Sequence, residues 1–238
     1  RVRTAPPDGL AGSQFSAGRW QDGPTTFHFN EESEIEVGPW KGTERRGSVQ
    51  KPWKAEPCTL SQLVSFLPAE DVRRLLESVK TSEAYEEYLD SVDHSPVFEY
   101  YLVANGQWQD EQMRCLLDPF VQERLLPYVR ERYSCSTIAL DQVLVRRYLP
   151  GERRTLGVHF DVHAYVTAVL GLSDPSEYVG GLYLQPQAHA SSQAFFRIGP
   201  GDVVVHSFDL EHGVFVWEGV RYSVIFWLKD SPEAVASN

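Results

Sequence analysis

Between residues 137 and 229 the chain reads as one short strand after another, and this run limits the possible folds more than any other feature. Segments 137–148, 155–160, 164–172, 181–185, 194–198, 202–206, 213–217 and 221–229 are rich in β-branched, aliphatic and aromatic residues, and clusters of Gly, Pro, Asp or Ser separate them. Strands of this length and number pack as two antiparallel sheets, a sandwich or a barrel. The pattern alone does not choose between those two.

Three residues in this run carry metal-binding chemistry. His159 and Asp161 lie two apart in Gly157-Val158-His159-Phe160-Asp161, so in an extended segment they share a face. His212 follows in Leu210-Glu211-His212-Gly213-Val214. Two imidazoles and one carboxylate on one face of an octahedron leave the opposite face open, which suits non-haem Fe(II). The same donors also bind zinc. Taken alone, a His-x-Asp pair is more often an ordinary polar strand end than a metal site. Arg221 comes nine positions after His212, and Arg221-Tyr222-Ser223 again places two polar side chains on one face. A guanidinium fork beside a hydroxyl suits a carboxylate; by itself Arg221 reads as a solvent-facing strand residue.

Taken together, His159-x-Asp161, His212-Gly213 and Arg221-x-Ser223 resemble the Fe(II)/2-oxoglutarate dioxygenase superfamily, and its prolyl/lysyl hydroxylase-like branch in particular. Tyr148-Leu149-Pro150-Gly151 resembles the strand and turn before the His-x-Asp of that branch. Tyr178-Val179-Gly180-Gly181-Leu182-Tyr183 resembles its Gly-Gly turn, and Gly201-Asp202 with the apolar strand after it resembles the approach to the distal ligand. The resemblance runs from about residue 138 to 229.

It implies an α+β, mainly β fold: a double-stranded β-helix (jelly roll) with N-terminal packing helices. It implies Fe(II) on His159, Asp161 and His212, with 2-oxoglutarate as cosubstrate and O2 as oxidant. Arg221 and Ser223 would meet the far carboxylate of the cosubstrate, with Tyr148 and Thr167 as further contacts. His206 is the rival for the distal ligand, but it lies fifteen positions before Arg221, where the family pattern expects nine. Related halogenases lack the carboxylate that Asp161 supplies, so the expected reaction is hydroxylation of an unactivated C–H bond. The branch often carries a cosubstrate-binding Tyr where this chain has Gly171, which leaves either a smaller donor set or a wider pocket.

For substrate, the resemblance points to a peptidyl prolyl or lysyl residue, with a free amino acid or small-molecule metabolite as the alternative. A non-catalytic jelly-roll binding module is the reading from another class. A zinc hydrolase ranks lower, because it has no use for Arg221 at that spacing and no evident general base.

Composition narrows the partners. A net charge of -11 over 238 residues argues against a general nucleic-acid binder. Hydrophobic residues make up 42%, enough for a core, yet no apolar run approaches the ~18 residues of a membrane span. Cys58, Cys115 and Cys135 form no paired framework, and no Asn-x-Ser/Thr acceptor occurs; both favour an intracellular, cytoplasmic setting. The first residue is Arg rather than Met, as in a trimmed or processed form. Oligomeric state is not legible.

The expected organisation is a partly ordered extension over 1–57 and an oxygenase domain over 58–238. Within the latter, 58–134 is helical support and 135–230 the jelly-roll core. The extension is rich in Gly, Pro, Ser and charge but holds Trp20, Trp40 and Trp53, so it is read as partly wrapping the domain. In it, 25–29 is a candidate short strand, 31–36 an acidic cluster, and His28 a surface or packing residue. Helices are expected over 66–80, over 82–91 with Tyr85 and Leu89 inward, and over 110–133 with interruptions at Pro119 and Pro127. A strand is expected over 96–103 and a frayed tail over 231–238. His163 continues the alternation of His159 and Asp161, and is either a substrate contact at the mouth or an exposed loop residue. His189 reads as solvated, and His94 carries no signal.

Overall fold

All eight strand segments expected between 137 and 229 form. The computed structural model describes residues 34–36, 59–184 and 194–237. In chain order these are β1 (Glu34–Glu36), β2 (Thr59–Leu63), α1 (Ala69–Thr81), β3 (Glu86–Leu89), β4 (Pro96–Ala104) and β5 (Gln107–Trp108). Then come α2 (Glu111–Phe120), a π-helical turn (Val121–Leu125), α3 (Leu126–Arg132), β6 (Ala139–Tyr148), β7 (Thr155–His159) and β8 (Val166–Gly171). The chain continues with β9 (Tyr178–Leu184), β10 (Ala194–Phe195), β11 (Val203–Ser207), β12 (His212–Gly219), β13 (Arg221–Lys229) and α4 (Pro232–Ala236).

Every strand pair is antiparallel. The large sheet has the order β1-β2-β11-β8-β13-β6-β4-β3, with β5 beside β4, and the small sheet has the order β10-β9-β12-β7. Few sequence neighbours pair, because the chain crosses repeatedly from one sheet to the other, which makes the sandwich a jelly roll. Between the sheets lie Leu60, Tyr148, Val169 and Val204 from the large one and Leu156, Leu182, Val214 and Val216 from the small one. The other face of the large sheet packs Val143, Val145, Leu170, Val224 and Phe226 against Val72, Leu75, Val79, Leu117, Leu125 and Val129 of the helices. Burying each such side chain stabilises the fold by about 1.5–3 kcal/mol. With both faces covered, β8 is buried at all six positions and reads as a continuous apolar run.

The long helical pattern over 110–133 is broken before Pro127, whereas Pro119, where a second interruption was expected, stays inside α2. Pro127 lacks an N–H and its ring would strike the carbonyl four residues back. The π turn widens the ladder there, and Pro127 falls in the first turn of α3.

Two further expectations are corrected. Residues 82–91 are not a helix: β3 pairs along the edge of β4, Glu86 opposite Glu99 and Tyr88 opposite Val97. That edge satisfies the backbone of a segment whose Glu, Ala and Leu residues favour a helix, so tertiary context overrides local propensity. Leu89, expected inward, is 68% exposed, while Tyr85 packs its ring 5.7 Å from that of Tyr100. Residues 231–238 are not a frayed tail either. Ser231 Oγ accepts from the Ala234 N–H at 3.2 Å, Pro232 opens α4, and Val235 is buried.

β2 and β5 were not anticipated. The candidate strand at 25–29, His28, the three Trp residues of the extension and His189 lie outside the described residues. Of the acidic cluster, Glu34–Glu36 forms β1 on the edge of β2. No helix among the described residues is long and apolar enough to cross a membrane.

Candidate active site

The site is built on one rung of the small sheet. His159 ends β7, His212 opens β12, and the two stand directly opposite each other in the ladder. Asp161 sits in the turn after β7, whose backbone closes with Ala164 N–H donating to the Asp161 carbonyl at 3.0 Å. One nitrogen or oxygen from each of the three lies within 4.8 Å of the others. His159 Nε2 is 3.5 Å from Asp161 Oδ1, and His212 Nε2 is 3.5 Å from Asp161 Oδ2.

Backbone carbonyls settle which ring nitrogen faces the centre. His159 Nδ1 lies 2.8 Å from the Gly157 carbonyl and His212 Nδ1 lies 3.0 Å from that of Leu210. Each Nδ1 carries the hydrogen and donates it, so each Nε2 turns its lone pair to the centre. Burial pushes the His212 imidazole down to about 3, which keeps it neutral. Burial opposes the charge on Asp161, yet the imidazoles of His212 and His159 hold its carboxyl well below the usual range. The Thr167 hydroxyl on β8 donates to Asp161 Oδ2 at 2.6 Å. Two lone pairs and a carboxylate oxygen converging in a buried pocket are a fitting donor set for a divalent transition-metal cation.

The same cavity is lined by Arg221 and Ser223 of β13 and by Tyr148 of β6. Arg221 is 2% exposed, and its Nη1 donates to Ser223 Oγ at 3.2 Å. Its guanidinium lies over the rings of Tyr148 and Tyr178, 5.5 and 6.0 Å from their centroids. No carboxylate among the described residues pairs with it, whereas Arg146, the other buried arginine, is paired with Glu99. A buried charge without a counter-charge is costly, so this end of the cavity fits an anion.

No family model matches the chain, and no curated protein matches it. Solved structures do. An oxidoreductase of the 2OG-Fe(II) oxygenase family from Burkholderia pseudomallei is 16% identical with a TM-score of 0.57, over 72% of this chain and 85% of its own. The fold is that of the 2OG-Fe(II) oxygenases. A prolyl hydroxylase from Trichoplax adhaerens, in complex with a hypoxia inducible factor oxygen degradation domain peptide fragment, is 15% identical with a TM-score of 0.57, over 75% of this chain and 87% of its own. The epimerase SnoN, in complex with Fe3+, alpha ketoglutarate and nogalamycin RO, is 18% identical with a TM-score of 0.55, over 72% of this chain and 78% of its own.

Within the 2OG-Fe(II) oxygenase fold the structure brings His159, Asp161, His212, Arg221, Ser223, Tyr148 and Thr167 to one cavity. The Thr167 hydroxyl, lining the same cavity, gives its hydrogen to Asp161. Gly171 does not widen the pocket. A Cβ there would stand 2.5 Å from the Gly199 carbonyl oxygen and 2.7 Å from Ile198 Cγ2, so that space is already filled. His163 is an exposed turn residue with its ring 4.3 Å from that of Trp227, whose side chain lines the cavity. His206 lies on β11, fully buried. His94 takes a left-handed turn conformation away from these residues.

Sequence reasoning missed Arg146, which also lines the cavity. Its Nη2 pairs with Glu99 and lies 3.3 Å from Asp90, while Arg153 reaches Asp90 at 3.2 Å and Asp93 at 2.5 Å. The signal was Glu99, a lone acid inside the otherwise apolar strand Pro96–Ala104; a buried carboxylate there needs a cationic partner.

Proposed function

We propose that the protein is an Fe(II)- and 2-oxoglutarate-dependent oxygenase that hydroxylates an unactivated C–H bond. One observation carries the reading: a two-histidine, one-carboxylate donor set and a buried guanidinium without a counter-charge line the same cavity. When bound, Fe(II) with 2-oxoglutarate and O2 supplies the oxidation, and the cosubstrate leaves as succinate and CO2.

The chain's own residues do the holding and shielding. His159, Asp161 and His212 bind the cation, their orientation fixed by the Gly157 and Leu210 carbonyls and the Thr167 hydroxyl. Arg221 grips the far carboxylate of 2-oxoglutarate, Ser223 adds a hydroxyl donor, and the Tyr148 ring backs the guanidinium. Leu156, Val169, Leu182, Val214 and Ile225 wall the cavity and keep water out.

The substrate we propose is a prolyl or lysyl residue of a polypeptide. Support comes from the order and spacing of His159, Asp161, His212 and Arg221, and from the peptide held by the Trichoplax adhaerens neighbour. A small-molecule metabolite is the second reading, supported by SnoN, which has the same fold and holds nogalamycin RO.

The test is succinate release from 2-oxoglutarate with and without Fe(II), followed by mass spectrometry of candidate peptides for the gain of one oxygen. His212→Ala should abolish iron-dependent succinate production. Turnover retained in that variant would remove His212 from the ligand set. A wild-type protein that never turns over 2-oxoglutarate would leave a non-catalytic binding module.

A further inference from the structure

His206 has no part in the site as described so far, yet the ladder aims it there. β11 and β8 set His206 directly opposite Thr167, so both side chains leave the large sheet on the same side, into the sandwich. Thr167 holds Asp161 by a hydrogen bond. The ring of His206 lies 4.4 Å from the ring of His212, at 56° to it. Together the pair forms the floor beneath two of the three donors.

The ring does more than fill space. His206 is 0% exposed. Its Nδ1 lies 3.0 Å from the Ser207 carbonyl, so that nitrogen carries the hydrogen and donates it. Nε2 is then an acceptor, enclosed, with no protein donor among the described residues. Buried acceptors without a partner are rare, because each one forfeits a hydrogen bond made in water. The groups near this ring include two of the metal centre, His212 by ring contact and Asp161 by charge.

We infer that His206 is a positioning residue of the metal centre: its ring fixes the plane of His212, and its Nε2 supplies an acceptor beside the ligands. The inference rests on the reading of His159, Asp161 and His212 as cation ligands. Outer partners of metal ligands act in this way, by orienting the ligand ring and so raising affinity for the cation.

The test uses the full chain stripped of metal and titrated with Co(II), with affinity and visible absorption as readouts. His206→Phe keeps a ring of similar shape and removes both nitrogens. It should stay folded by circular dichroism, bind Co(II) about 10–100-fold more weakly, and shift the Co(II) bands. His206→Gln, which restores a polar atom at similar reach, should recover part of the affinity. His206→Leu serves as the apolar variant should Phe not fit. Wild-type affinity and an unchanged spectrum in the apolar variants would overturn the inference and leave a ring that only packs. A wild-type chain that binds no Co(II) or Fe(II) overturns the reading of the centre, and this inference with it.

Discussion

Arg221 keeps a full positive charge inside the sandwich with a serine hydroxyl and two tyrosine rings for company. Its replacement therefore separates two roles. Arg221→Leu should weaken 2-oxoglutarate binding by about 100-fold or more, as loss of a charge-assisted pair costs 2–5 kcal/mol, while Co(II) affinity stays near wild type; calorimetry on the Co(II)-loaded protein reads both. Arg221→Lys should recover only part, since an ammonium lacks the planar fork. The Gly171 position gives a prediction of the opposite kind. Gly171→Ala drives a Cβ against the Gly199 carbonyl, and thermal melts should show a loss of about 1–3 kcal/mol. At this scale His159, Asp161, His212 and Arg221 were legible, because each announces itself by local spacing. The hydroxyl of Thr167 on Asp161 and the filled space at Gly171 were not. Both depend on which strand lies beside which, a fact no local window contains.

Among the elements, the strands were legible and the segments near the chain's edges were not. Alternation and turn residues mark β6 through β13 because one or both faces of each strand meet a packed layer. β3 lacks that constraint: its four residues are all exposed, and only the ladder to β4 makes it a strand. Its acidic side chains also discourage further pairing at the sheet edge. α4 is too short to show a period, yet its cap was written in Ser231-Pro232. Ser231→Ala should lower stability by about 0.5–2 kcal/mol, measured by denaturant unfolding, with 2-oxoglutarate turnover unaffected.

Across the whole molecule, buried charge ties the parts together. Arg146 and Arg153 bind Asp90, Asp93 and Glu99, so the β3–β4 turn and the β6–β7 turn are locked into one unit beside the cavity. Removing one partner strands the rest, and Arg146→Leu should destabilise the fold by about 3–5 kcal/mol. The acid response of the metal-free protein follows from the same economy of burial. Burial pushes His212 down to about 3 and lowers His206 as well, whereas an unfolded histidine titrates near 6.5. Below that value the unfolded chain binds protons that the folded one refuses, so stability falls as the pH drops, by about 1.4 kcal/mol per unit for His212, with a further loss of the same sign from His206. The lowered carboxyl of Asp161 adds a loss of the same sign below its unfolded value. Melting temperature against pH, recorded after chelation, should decline from about pH 6.5 downward, and His206→Phe should flatten that decline.

The two facing imidazoles of β7 and β12 occupy a single rung, followed by an irregularity before Val214. Strand side chains reverse direction at every step, so a slip of one residue would swing His212 out toward solvent and bring Glu211 or Gly213 into its place. Assembly of the centre is thus all or none. A molecule threaded one residue out of step would lack one imidazole of the centre however much metal was supplied.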